Sequence, residues 1–159
     1  MAVTEKQVVR EQESSISPYS PIDDYAVIGD CRSAALVSCE GSIDWLCWPR
    51  FDSPSIFAAL LDSDHGGRFQ IQPSGDFRSE RRYLPETNVL ETTFRTDTGA
   101  VALRDLMPVA SEEDKHAALT AEHEILREIE GLEGTVELAI TYAPRPNYAR
   151  DRAHLERRG

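Results

Sequence analysis

The chain has 159 residues, 40% of them hydrophobic, and a formal net charge of −11. That length suits one ordinary domain rather than two, with enough interior to need no disulfide staples. The acidic balance argues against a general nucleic-acid binder, which needs a basic surface to displace counterions. No run approaches a membrane span, and residues 1–20 lack an apolar segment of signal-peptide length, so the expected location is cytoplasmic.

Residues 1–17 are polar and without period and are expected to form a disordered tail, with residues 18–159 as the ordered domain. The ordered chain is expected to start near Tyr19 to Ile28, and from there the dominant period is two. "LVSCEGSIDWLCW" reads as strand, tight turn at Glu40-Gly41, strand. Ser53, Pro54 and the spacing of Ile56, Phe57, Leu60 and Leu61 predict a short helix near 53–62, ended by Gly66-Gly67. "GRFQIQP", "NVLETTFRT", "GAVALRDLMP" and "GTVELAITYAP" alternate apolar and polar positions, as strands with one wet face do. Turn signals separate them at Pro73-Ser74-Gly75, Asp97-Thr98-Gly99 and Gly131 to Gly134. "SEEDKHAALTAE" reads either as a short helix or as an acidic loop. The sum is an all-β antiparallel sandwich with one short helix. The closing "NYARDRAHLERRG" has few apolar residues, so strand partners are expected to be missing and unpaired edges to favour self-association.

Charge is uneven. The stretch from Glu112 to Glu133 is acidic and the stretch from Arg145 to Arg158 is arginine-rich. A solvated face explains both more simply than nucleic-acid binding. Cys31, Cys39 and Cys47 are widely spaced, with no C-x-x-C pair and no clustered histidine, and read as buried free thiols rather than zinc ligands. His65, His116, His123 and His154 are scattered, and no glycine-rich phosphate loop is present. Asp24, Asp30, Asp44 and Asp52 read as turn, cap or surface acids before they read as catalysts. Asp105 shares strand phase with Val101, Leu103 and Met107, and Arg127 sits between Ile125 and Ile129. A buried carboxylate must find a donor: an Asp105–Arg127 pair would satisfy both, and a bulge that turns Asp105 outward is the alternative.

One cluster draws notice. Both tryptophans fall within "DWLCWPRFD". Trp45 shares phase with Ile43 and Cys47 and is expected to face inward, with Trp48 on the opposite face. Indoles stack on sugars, and Arg and Asp can hold hydroxyls, so plain packing and ligand or interface contact both stand as readings.

The stretches "YSPIDDYAVIGDCRSAALVSCEGSIDWLCWPRFDSPSIFAALLD", "RRYLPETNVLETTFRTDTGAVALRDLMPV" and "HEILREIEGLEGTVELAITYAPRPNYAR" resemble the opening of bacterial family-fifteen glycoside hydrolases, the glucoamylase and trehalase-like group. The resemblance implies a trehalase-like N-terminal β-sandwich, incomplete at its C-terminus, that precedes an (α/α)6 catalytic barrel. It places the catalytic glutamates on that barrel, so no catalytic residue is expected here. It implies inverting hydrolysis of α-glucosidic bonds by the complete enzyme. It places Asp44, Trp48, Arg50, Phe51 and Asp52 toward the barrel or its substrate, an α-glucan or trehalose. Some trehalase-like relatives use phosphate and magnesium, but nothing here recognisably binds either. A free-standing carbohydrate-binding module and a unit that docks on a separate barrel are the alternatives.

Overall fold

The computed structural model describes residues 20–109, 123–151 and 153. These follow a short 3-10 turn, Ile22–Asp24, with strands β1 Tyr25–Gly29, β2 Ala34–Ser38, β3 Ser42–Cys47, β4 Ser55–Phe57 and β5 Arg68–Pro73. Strands β6 Arg78–Tyr83, β7 Leu90–Arg95, β8 Gly99–Leu106, β9 Leu126–Gly134 and β10 Leu138–Ala143 come next, then one helical turn, α1, Pro146–Ala149. The strands make two antiparallel sheets. One has six strands in the order β1-β2-β3-β5-β10, with β4 beside β3, and the other has four in the order β6-β7-β8-β9. The two sheets face each other as a sandwich, as the period-two segments predict. The expected N-terminal tail and the ambiguous segment 111–122 lie outside the described residues, as do Arg152, Arg157 and Arg158 of the arginine-rich end. No helix among the described residues is long and apolar enough to cross a membrane.

The turn between β2 and β3 forms where the sequence places it. Gly41 has φ 70° and donates its N–H to the Ser38 carbonyl at 3.1 Å. A Cβ there would meet the Ile71 carbonyl oxygen at 2.4 Å, so the position needs glycine on two counts.

The helix expected near 53–62 is absent. Ser55–Phe57 instead forms β4, and a turn follows. The cause lies in β3. Its first half, Ser42 and Ile43, pairs with β5, which leaves Leu46 and Cys47 to find another strand. They pair with Phe57 and Ser55. A ladder that satisfies buried backbone outcompetes a weak local helix preference. Ser53 closes a turn rather than capping a helix, because its hydroxyl accepts the Arg50 N–H at 3.1 Å. The turn α1 is left-handed at Asn147, Tyr148 and Ala149, with φ of 54°, 56° and 62°.

Gly131 to Gly134 is strand rather than turn. Val101 pairs with Gly131 and Ala100 with Glu133, so Leu132 is the extra residue of a bulge. The strand ends at Gly134, with φ 60°, and the chain turns over residues 135–137.

The interior has two apolar clusters. Ile28, Val37, Ile43, Leu46 and Leu90 anchor one, and Ile71, Phe94, Val101 and Leu103 form the other. Between them lies an ion pair. The Arg127 Nε donates to Asp105 Oδ1 at 2.7 Å, and their side chains are 3% and 0% exposed. Two more donations from Arg127, each 2.7 Å, cross to the carbonyls of Phe69 and Gly41 on the opposite sheet. Its guanidinium also lies 4.7 Å from the centre of the Phe69 ring. The two polar residues whose phase points inward therefore satisfy each other and bolt one sheet to the other. Burial pushes the Asp105 carboxyl above its ordinary pKa, and the guanidinium offsets part of that rise.

Candidate functional site

The tryptophan-bearing segment begins in β3. There the pairing partner of β2 jumps from Trp45 (opposite Leu36) to Ile43 (opposite Val37), so Asp44 is a bulge residue. One extra residue reverses the phase of everything after it. Ile43 and Leu46 are both fully buried, and Trp48 packs against the same cluster. Trp45 faces the other way, with its ring centre 6.2 Å from that of Tyr148. The expected orientations of the two tryptophans are thus exchanged.

The bulge also explains Asp44. Its carboxylate, on a residue 6% exposed, accepts hydrogen bonds from the Tyr25 hydroxyl at 2.8 Å and the Ser42 hydroxyl at 2.5 Å. Arg68 Nε lies 3.9 Å away, and the Asp44 carbonyl accepts the Leu60 N–H. Burial and the bond to this carboxylate push the Tyr25 phenol well above its ordinary pKa. Asp44 holds β1, β3 and the 58–67 loop together. It does not stand free on the surface.

Beyond β3 the chain leaves the sheet. Trp48 is half-buried, its indole N–H has no hydrogen-bond partner, and the Trp48-Pro49 peptide is cis. Residues 50–53 then form a fixed turn. The Ser53 N–H donates to the Arg50 carbonyl at 3.1 Å, and the Phe51 N–H donates to the Arg32 carbonyl at 3.1 Å. Three exposed side chains crown the turn. Phe51 is 61% exposed, and Arg50 Nε lies 3.3 Å from Asp52 Oδ1. An exposed pair of this kind adds little stability, so the turn is held by its backbone bonds. Of the five residues singled out from sequence, the structure brings Arg50, Phe51 and Asp52 together on the surface. Trp48 lies beneath them, and Asp44 is withdrawn into the fold.

Asp30 is a turn acid, as expected, because its Oδ1 accepts the N–H groups of Arg32 and Ser33 at 2.9 and 2.7 Å. The cysteines differ from one another. Cys47 is buried, Cys39 is half-buried and Cys31 is exposed, so the buried reading fails for Cys31, which sits in the β1–β2 turn at φ 68°. Burial pushes the Cys39 and Cys47 thiols up in pKa, which makes them poor nucleophiles.

Sequence reasoning missed a second surface feature. Tyr148, whose ring centre lies 6.2 Å from that of Trp45, lines a shallow pocket of about 100 Å³ with Ala58, Leu61, Asp62 and His65. Tyr148 is placed by its N–H, which donates to the Ser55 hydroxyl at 2.9 Å. No sequence period could reveal this, because it depends on α1 folding back over β4. The pocket is smaller than those that enclose small ligands, which run to about 300–1,000 Å³. It could offer one face to a sugar ring and could not surround a disaccharide.

Comparison with known proteins finds a family and relatives for this chain. The "Trehalase-like, N-terminal" family matches residues 15–159. A trehalase of Mycolicibacterium smegmatis is 39% identical over 90% of this chain and 23% of its own length. A trehalase of Mycobacterium tuberculosis is 39% identical over 84% of this chain and 21% of its own length. A trehalase of Thermoplasma volcanium is 32% identical over 94% of this chain and 24% of its own length. The chain thus spans less than a quarter of the length of these relatives. No solved structure matches it. With a match over most of its length, the chain belongs to the trehalase-like N-terminal domain family.

Proposed function

We propose that this chain is a non-catalytic β-sandwich unit of a trehalose- or α-glucan-hydrolysing enzyme, and that its 50–53 turn meets a separate catalytic barrel, in cis or in trans. The observation that carries this reading is the display of Phe51. A turn fixed by backbone bonds holds a large apolar ring in water on the residue between the two partners of an ion pair, which is the composition of an interface anchor with a polar rim. The unpartnered indole N–H of Trp48 lies below that turn. The described acids near it are already engaged. Asp44 serves Tyr25 and Ser42, and Asp52 faces Arg50. Inverting hydrolysis needs one carboxyl kept protonated and another free to activate water, and neither of these acids suits either duty.

The test has two arms. Purified chain should release no glucose above background from trehalose, maltose or soluble starch between about pH 4 and 7, a range that covers ordinary carboxyl titration. A separately expressed barrel of a trehalase relative should co-purify with it, and Phe51→Ala should abolish that capture. Steady turnover lost in Asp44→Asn or Asp52→Asn would overturn the reading. Capture unchanged by Phe51→Ala would move the interface elsewhere.

A second reading has its own observation. Trp45 and Tyr148 form an aromatic pair, and Tyr148 lines a pocket with Asp62 and His65, which suits weak stacking on a glucan. Retention of the chain on an amylose or starch resin that Trp45→Ala removes would favour a carbohydrate-binding module.

A further inference from the structure

Among the described residues five strands have a single partner, β1, β4, β10, β6 and β9, and four of them are guarded; at β4 the Ile56 carbonyl accepts the Arg145 N–H at 3.0 Å and the Ser55 hydroxyl accepts the Tyr148 N–H at 2.9 Å. On β1, the Val27 N–H donates to the Tyr83 hydroxyl at 2.9 Å, and that hydroxyl donates back to the Val27 carbonyl at 2.8 Å. Asn88 Nδ2 covers the Gly29 carbonyl at 2.8 Å. The β6 edge, "RSERRY", is dense in charge, and β9 carries Glu128, Glu130 and Glu133. Charges and side-chain covers of this kind stop one edge from pairing with another.

β10 has no such guard. Its sequence, "LAITYA", contains no charge and no proline, and among the described residues only β5 pairs with it. Its outward backbone groups can be identified. The Ser74 N–H donates to the Glu137 carbonyl, and the register pairs Leu138 with Pro73, which has no N–H to give. Antiparallel ladders alternate, so Ala139, Thr141 and Ala143 turn toward β5. Leu138, Ile140 and Tyr142 then present their N–H and C=O groups to the free edge. The side chains of these same residues face the sandwich interior, opposite Pro73, Ile71 and Phe69, yet Ile140 is 61% and Tyr142 52% exposed.

We propose that the free edge of β10 pairs with β10 of a second copy of this chain, antiparallel about a two-fold axis through Ile140. Only an even register keeps the apolar faces on one side, because side chains alternate along a strand. Centred on Ile140, that register sets Ile140 against Ile140 and Leu138 against Tyr142, and it uses the outward backbone groups of all three residues. It joins the open sides of two sandwiches into one continuous apolar layer. Cover and charge select this edge among the five, since β1 and β4 are capped, two β9 edges would oppose glutamates and two β6 edges would crowd arginines, while two β10 edges meet without repulsion.

Sedimentation of the whole chain across a concentration series tests this. The expected result is a shift from monomer mass at low concentration to twice that mass at high concentration, with no larger species. Ile140→Lys puts a charge on the edge, and Ile140→Pro removes the outward N–H without touching the ladder to β5. Both variants should remain monomeric throughout, with far-UV circular dichroism unchanged. A chain that stays monomeric at every concentration overturns the proposal. So does a dimer that persists in both variants while they remain folded, or an open-ended series of larger assemblies.

Discussion

The two ends of the sandwich are closed by different means. At the β1–β6 end, side chains cap backbone: Tyr83 spans both polar groups of Val27, and Arg81 Nη1 reaches the Val37 carbonyl at 3.0 Å beside the β2–β3 bulge. Toward the β9–β10 end the sheets are tied by the buried Asp105–Arg127 pair. Beyond it the inner faces open to water at Ile129, Ile140 and Tyr142. One end is sealed by many modest bonds, each contributing about 1 kcal/mol. The other hangs on a single buried charge network and ends in apolar surface. The difference shows where the fold is self-sufficient and where it invites a neighbour.

Breaking the bolt gives the largest effect. Arg127→Ala leaves Asp105 buried and unpaired, and it frees two carbonyls on the opposite sheet. It should cost about 3–5 kcal/mol in urea unfolding. A double change, Asp105→Leu with Arg127→Met, should recover much of the loss, because what is costly is the orphaned charge. A loss from Arg127→Ala below about 1 kcal/mol would mean that the pair is solvated.

The tryptophans come next. Trp48 packs on the core cluster, whereas Trp45 contacts Tyr148 on the outer face. Trp48→Ala should therefore cost about 2–3 kcal/mol, below the 3–5 of a fully buried aromatic, and Trp45→Ala distinctly less. The reverse order in the same urea melts would restore the unbulged phase.

At the sealed end, Tyr83→Phe removes both bonds to Val27 and should cost about 1–2 kcal/mol. It also uncovers β1. The variant should associate more strongly than the parent chain by light scattering, because it has gained a second bare edge. Unchanged association would show that something other than the hydroxyl guards β1.

The smallest effect is a pH dependence. On the outer face of the four-stranded sheet, Arg82 and Arg104 hold the buried Glu91 carboxyl below its ordinary range through hydrogen bonds of 2.7 and 2.9 Å. A depressed carboxyl stabilises the fold above its unfolded pKa of about 4.3, and that contribution is lost as pH falls through the folded value. Asp105 has the opposite sign. Burial raises its pKa, so the cost of ionising it in the folded chain appears as pH rises through the carboxylate range. Glu91→Gln should therefore lose its difference from the parent at acid pH and show a deficit near neutrality, measured by urea melts across that range.

Much of the fold was readable in the sequence because the central strands obey a simple period. Leu90, Thr92 and Phe94 of β7 and Val101, Leu103 and Asp105 of β8 are all buried on one face, as their alternation says. The inward phase of Asp105 and Arg127 raised their pairing as one of two readings, and the structure shows the pair rather than an outward bulge. What the sequence concealed was set by bulges and by demand from neighbouring strands. A single extra residue at Asp44 exchanged the faces of Trp45 and Trp48. Pairing with the second half of β3 turned a helix-like "SIF" into β4. The charged "RSERRY" carries no apolar alternation, yet it is a full strand because β7 offers it an edge. At the candidate site, the exposed trio Arg50, Phe51 and Asp52 could be picked out by residue type, but the withdrawal of Asp44 and the Trp45–Tyr148 pair needed coordinates.

Residue-resolved amide hydrogen exchange at two protein concentrations tests the contrast between the two ends most directly. In dilute solution the account predicts that Val27, bonded to Tyr83, exchanges slowly, while Leu138, Ile140 and Tyr142 exchange fast and Ala139 and Thr141 slowly. On concentrating the sample, Leu138, Ile140 and Tyr142 should slow and Val27 should not change. Equal protection of Ile140 and Thr141 in dilute solution, or fast exchange at Ile140 whatever the concentration, would contradict it.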